Sequence, residues 1–87
     1  MTDLRFAKRP EGGYVAELDG PLSVCDQSTF WTPETATAVT YWYDRYTRLW
    51  TVYLLDADGA QVGGAQYGAT RAEAEAEARF LTRKENR

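Results

Sequence analysis

Cys25 is the only thiol in the chain, and there is no histidine. Those two facts bound the available chemistry. A thiol becomes a nucleophile when a base or cation lowers its pKa. The neighbour of Cys25 is Asp26, and a carboxylate raises a thiol pKa instead. Cys25 therefore reads as a small apolar residue. One cysteine excludes an intramolecular disulfide, and the common zinc-ligand clusters cannot be assembled. The usual neutral-pH general base is also missing. Asp56 and Asp58 are the remaining pair at a chemical spacing. Such a pair can act as an acid–base couple or hold a hard cation. A calcium loop would continue through further oxygen ligands to a bidentate Glu, whereas Ala60, Gln61 and Val62 follow here. Asp56-Ala57-Asp58-Gly59 is thus read as a hairpin turn, since Asp accepts backbone hydrogen bonds and tolerates tight conformations. Gly12-Gly13 and Gly63-Gly64 lack the strand–loop–helix setting of a phosphate cradle. No catalytic, metal-ligating or cofactor-binding residue is predicted, and the expected class is not an enzyme.

Rings and guanidinium groups carry what functional content is left. Aromatics make up 14% of 87 residues, and each ring can bury roughly 150–250 Å². Five of them, Tyr41, Trp42, Tyr43, Trp50 and Tyr53, fall within two neighbouring predicted strands. They occupy both parities, so Trp42, Trp50 and Leu54 cannot all share a face with Tyr41, Tyr43 and Tyr53. One parity can pack under a helix. The other is covered by the first hairpin or the 22–36 stretch, or it stays open as a binding platform for protein or unpaired bases. Arg45, Tyr46 and Arg48 stand at the tip of the hairpin, and Arg and Tyr are enriched at interface hot spots. The expected interface is Tyr41, Tyr43, Arg45, Tyr46, Arg48, Tyr53, Asp56 and Asp58.

Charge placement gives a direction for partners. The net charge is −3, and no Lys or Arg occurs between Arg9 and Arg45, a stretch holding Glu11, Glu17, Asp19, Asp26, Glu34 and Asp44. A nucleic-acid binder normally shows the opposite balance, because phosphate neutralisation supplies most non-specific affinity. The surface is expected to be broadly acidic and its partner basic.

The elements that position these residues follow from pattern. Leu4–Arg9 and Tyr14–Leu18 alternate and flank the Pro10-Glu11-Gly12-Gly13 turn, which predicts a hairpin with Leu4 and Phe6 inward. Residues 21–36 are irregular and read as a loop, with Leu22–Cys25 a candidate short strand. Thr37–Tyr43 and Leu49–Leu55 are dense in β-branched and aromatic residues and read as strands. Gln61–Tyr67 is a third, with a bulge at Gly63-Gly64. Thr70-Arg71-Ala72-Glu73 is a capping box that opens a helix to about Lys84. Ala74, Ala78 and Leu81 share one face of it, and that small face suits a sheet bearing large rings. The fold class is α+β, one domain over 1–87: an antiparallel sheet of four to five strands with one C-terminal helix packed on one face. Its parts are an N-terminal hairpin (1–20), a loop (21–36), a three-stranded meander (37–67) and a helix (70–84). No apolar run approaches the ~20 residues of a membrane span, and the N-terminus lacks a signal-peptide layout, so a cytoplasmic location is expected.

Two resemblances rest on quoted segments. Leu49-Trp50-Thr51-Val52-Tyr53, Asp58-Gly59 and Ala69-Thr70-Arg71-Ala72-Glu73-Ala74 resemble the arm-binding domain of phage integrases, which would imply DNA reading by a basic sheet. This sheet has almost no Lys or Arg outside Arg45 and Arg48. Together with Glu11-Gly12-Gly13-Tyr14-Val15-Ala16-Glu17-Leu18, the same segments resemble the HicB-like antitoxin domain, which would imply a protein partner. In size and charge the chain is also similar to accessory proteins of phages and plasmids, including inhibitors of host CRISPR complexes. The expected function is a non-enzymatic protein-binding module, of the kind by which a phage or plasmid inhibits a host nucleic-acid-processing complex. Its partner would be a larger protein or a protein–nucleic-acid complex, with no membrane and no cofactor. The alternative is a small nucleic-acid-binding domain using the aromatic sheet face. An open edge or ring face also admits a homodimer.

Overall fold

The computed structural model describes residues 4–24 and 34–82. Five antiparallel strands follow one another in chain order: β1 (Ala7–Lys8), β2 (Tyr14–Val24), β3 (Glu34–Asp44), β4 (Leu49–Leu55) and β5 (Gln61–Gly68). One helix, α1 (Arg71–Leu81), closes the described chain. The α+β class, the antiparallel sheet and the C-terminal helix agree with the sequence reading. Cys25 lies outside the described residues.

Two elements depart from expectation. The first strand is only two residues long, yet Leu4 and Phe6 still pack inward on the core. Phe6 meets the Tyr41 ring edge-on at 5.1 Å. The expected loop from 21 is instead extended chain at its described ends, because Leu22, Ser23 and Val24 pair with Ala36, Thr35 and Glu34. Strand β2 passes through Gly20-Pro21 by a bulge: residues 18–21 stand opposite Thr37 alone. Proline has no N–H to give the ladder, so pairing lapses there and resumes beyond. A second bulge places residues 63–65 of β5 opposite Tyr53, with Gly63 at φ +74°.

The register settles the faces. Tyr41 pairs with Val52 and Tyr43 with Trp50. Trp50 and Leu54 therefore join Tyr41 and Tyr43 on one face, and Trp42 and Tyr53 lie on the other. The six residues are thus divided between the two faces, as their parities require. The four-residue turn between Asp44 and Leu49 pairs odd positions with even ones, and that parity cannot be read from either strand alone.

Helix α1 covers the Tyr41 face. Ala74 and Ala78 are fully buried, and the core joins them to Ala16, Val39, Tyr41, Val52, Leu54 and Val62. Their small side chains allow a close approach. A Cβ added to Gly68 would lie 3.0 Å from the Ala74 amide nitrogen. The bulk comes from the sheet, where the Tyr41 ring stacks on Tyr14 at 5.2 Å and meets Trp50 at 5.9 Å. At the helix start, Thr70 accepts from the Glu73 amide at 3.2 Å. The return bond of the box goes one residue further than expected, from the Ala69 amide to Glu73 Oε1 at 2.9 Å. Two backbone donors are thereby satisfied. The Glu75–Arg79 pair forms at 3.4 Å. No helix among the described residues is long and apolar enough to cross a membrane.

Candidate functional site

Tyr41 is the most buried of the expected interface residues, with no exposed surface. Its hydroxyl donates to Glu75 Oε1 at 3.1 Å and accepts a long bond from Arg71 Nε at 3.5 Å. Burial pushes its pKa above the ordinary value; the Glu75 carboxylate adds to the rise and Arg71 opposes it. Arg71 is held more basic than usual, first by that hydrogen bond, and its guanidinium lies 4.1 Å over the Tyr14 ring. Tyr41 is thus a core and helix-docking residue, and its place in the expected interface is corrected on that ground.

The hairpin tip is built differently. Asp44 Oδ1 accepts from the Tyr46 amide at 2.9 Å, and the Asp44 carbonyl accepts from the Arg48 amide at 2.8 Å. The turn closes with Arg48 at φ 60°, a left-handed conformation that costs a non-glycine residue roughly 1–2 kcal/mol. These bonds hold Arg45, Tyr46 and Arg48 out in solvent. Tyr46 is 99% exposed, Tyr43 43% and Trp42 37%. Tyr43 is steadied by an edge contact with Trp50 at 5.7 Å.

The β1–β2 turn lies beside this tip. Gly13 (φ +79°) sits so close that an added Cβ would be 2.6 Å from the Trp42 Cβ and 2.7 Å from the Tyr41 carbonyl oxygen. Arg9 pairs with Glu11 and donates to Thr40 Oγ1 at 3.2 Å. Thr40 in turn donates to the Tyr14 carbonyl at 2.7 Å. The two turns enclose a groove of 650 Å³ whose walls include Arg9, Trp42, Tyr43, Arg45, Tyr46 and Tyr53.

The structure therefore brings four of the eight expected residues to this groove, Tyr43, Arg45, Tyr46 and Tyr53, with Arg48 exposed on the same turn. Asp56 and Asp58 stand at the other end of the sheet. Asp56 Oδ1 accepts from the Asp58 and Ala60 amides, both at 2.9 Å, so this carboxylate is spent on its own turn. Among the described residues no group of three metal-ligating side chains forms. Sequence reasoning missed Trp42 and Arg9 as groove residues. Trp42 is legible as a ring, but its place beside the tip follows only from the register. Arg9 could have been found by placing the first and third turns of a meander at one end.

On the face away from the helix, Thr51 is nearly buried between its register partners Trp42 and Tyr67, and its hydroxyl has no hydrogen-bond partner. Comparisons with protein-family models, with curated proteins and with solved structures return no match.

Proposed function

We propose that the protein is a non-enzymatic binding module that docks onto a larger protein or protein–nucleic-acid complex through the β3–β4 hairpin end of its sheet. The observation that carries this reading is the group of exposed rings Trp42, Tyr43 and Tyr46 beside Arg45 and Arg48. Rings and arginines supply most of the binding energy at protein interfaces. Their backbone is fixed by the Asp44 bonds, which lowers the ordering cost of docking. Elsewhere the exposed Glu17 and Asp58 suit a basic neighbour. Among the described residues, the two groups with shifted titration, Tyr41 and Arg71, are bonded to each other at the helix–sheet seam. The more particular form, an inhibitor from a mobile element, is supported only by likeness in size and charge.

A photo-crosslinking amino acid placed at position 46, and separately at 58, tests the reading in a host extract. A discrete protein adduct from position 46 and none from 58 is expected. Equal adducts from both ends would reject this docking end, and no adduct from 46 would reject the protein partner.

A further inference from the structure

Topology sorts the charges in a way that net charge conceals. In a meander the first and third turns lie at one end of the sheet and the fourth lies at the other. The end bearing the β1–β2 and β3–β4 turns, where β5 also passes into α1, holds five cations, Lys8, Arg9, Arg45, Arg48 and Arg71, against three carboxylates, Glu11, Asp44 and Glu73. Glu11 is paired with Arg9, and Asp44 is engaged by the Tyr46 amide. Arg45 and Arg48 have no carboxylate partner among the described residues. The opposite end carries Asp56 and Asp58. A chain of net charge −3 thus presents a positive end, and that end is where the exposed rings stand.

We propose that this groove binds single-stranded nucleic acid, with unpaired bases stacked on Tyr46 and Trp42 and the flanking phosphates against Arg45 and Arg48. The inference rests on the reading that the hairpin end is the docking surface, and it names the strand of a protein–nucleic-acid complex as what the end takes hold of. Stacking rings interleaved with guanidinium groups are the general requirement for holding a strand without reading its sequence. Every base has a π-face, and Arg adds a cation–π contribution. Paired bases are already stacked on each other and cannot reach a ring that projects from a hairpin tip. Five cations at one small end, with Arg9 already paired to Glu11, are also few for a duplex, whose non-specific affinity grows with the number of phosphates neutralised. The groove has room for a base, and rings form much of its wall (Trp42, Tyr43, Tyr46, Trp50 and Tyr53), as stacking requires, with Arg45 among them for a phosphate.

Fluorescence anisotropy of the full chain with a labelled oligothymidylate twenty-mer, and with a duplex of equal length, tests this across ~20–200 mM salt. The single strand should bind and the duplex should bind at least tenfold more weakly. Affinity should fall with salt at a log–log slope near −1.4 to −2, from ~0.7 per phosphate for two or three contacts. Tyr46→Ala and Arg45→Glu should each weaken binding at least fivefold, while Asp58→Lys at the far end should change it less than twofold. Because Tyr46 is 99% exposed, its loss leaves the fold intact. No anisotropy change at the lowest salt, equal binding of the duplex, or native affinity in Tyr46→Ala would each overturn the inference. A protein adduct from position 46 with no strand binding would overturn it while leaving the docking end in place. Strand binding with no protein adduct would support it and remove the protein partner instead.

Discussion

The Tyr41 hydroxyl donates to Glu75 Oε1 at 3.1 Å, joining the middle of β3 to the first turns of α1 across 34 residues of sequence. The same oxygen accepts from Arg71, one turn earlier on the helix. A single phenol thus fixes where the helix sits on the sheet, while its ring fills the space that Ala74 and Ala78 leave.

Tyr41→Phe keeps the ring and removes the hydroxyl. One charge-assisted, partly buried hydrogen bond is lost, so stability should fall by about 1–2 kcal/mol in urea unfolding. Tyr41→Ala removes the ring as well and should cost about 3–5 kcal/mol, enough to unfold many domains of this size. An unchanged midpoint in Tyr41→Phe would show that the bond contributes nothing.

The raised pKa of Tyr41 makes stability fall at alkaline pH. Its folded value lies above the ordinary 10.0, so the native state holds the proton more tightly than the unfolded one. The contribution is complete below pH 10 and declines as pH rises from there through the folded value. Tyr41→Phe should flatten that decline. A parallel alkaline loss in both proteins would assign it to another group.

Gly12 and Gly13 both take positive φ, but only one is crowded. Gly13→Ala would press a methyl group against the Trp42 Cβ and the Tyr41 carbonyl, whereas the space around Gly12 is open. Gly13→Ala should therefore cost more than Gly12→Ala, by roughly 1–3 kcal/mol, the usual penalty of overpacking. Equilibrium denaturation of the two variants side by side decides it.

The Thr51 hydroxyl is buried without a partner, a state that costs about 1–3 kcal/mol. Thr51→Val keeps the shape and removes the polar atom. The melting midpoint should rise, by an amount equivalent to about 1 kcal/mol. A fall would mean that the hydroxyl finds a bond in solution.

Much of the architecture was legible because local chemistry and global fold agree. The β-branched and aromatic runs at 37–43 and 49–55 could hardly be anything but strands, and Thr70 with Glu73 marks the helix start within one residue. What stayed hidden depends on pairing between distant segments. Strand β2 survives Gly20-Pro21 because β3 offers Ala36, Thr35 and Glu34 on the far side of the bulge. Which rings share a face depends on the length of one turn. The groove was half legible: its tip residues follow from the hairpin, but Arg9 reaches it only once the strand order is known. Tyr41 shows the reverse error. Its type suits a binding surface as well as a core, and only the helix above it decides.

Each strand of this sheet is bonded to the one made just before it, so the layer can build outward as the chain is synthesised. The helix comes last. Until residues 71–81 leave the ribosome, Phe6, Tyr14, Tyr41 and Trp50 have no lid, and a nascent chain halted in the β5 segment presents an oily, half-finished slab to the quality-control machinery.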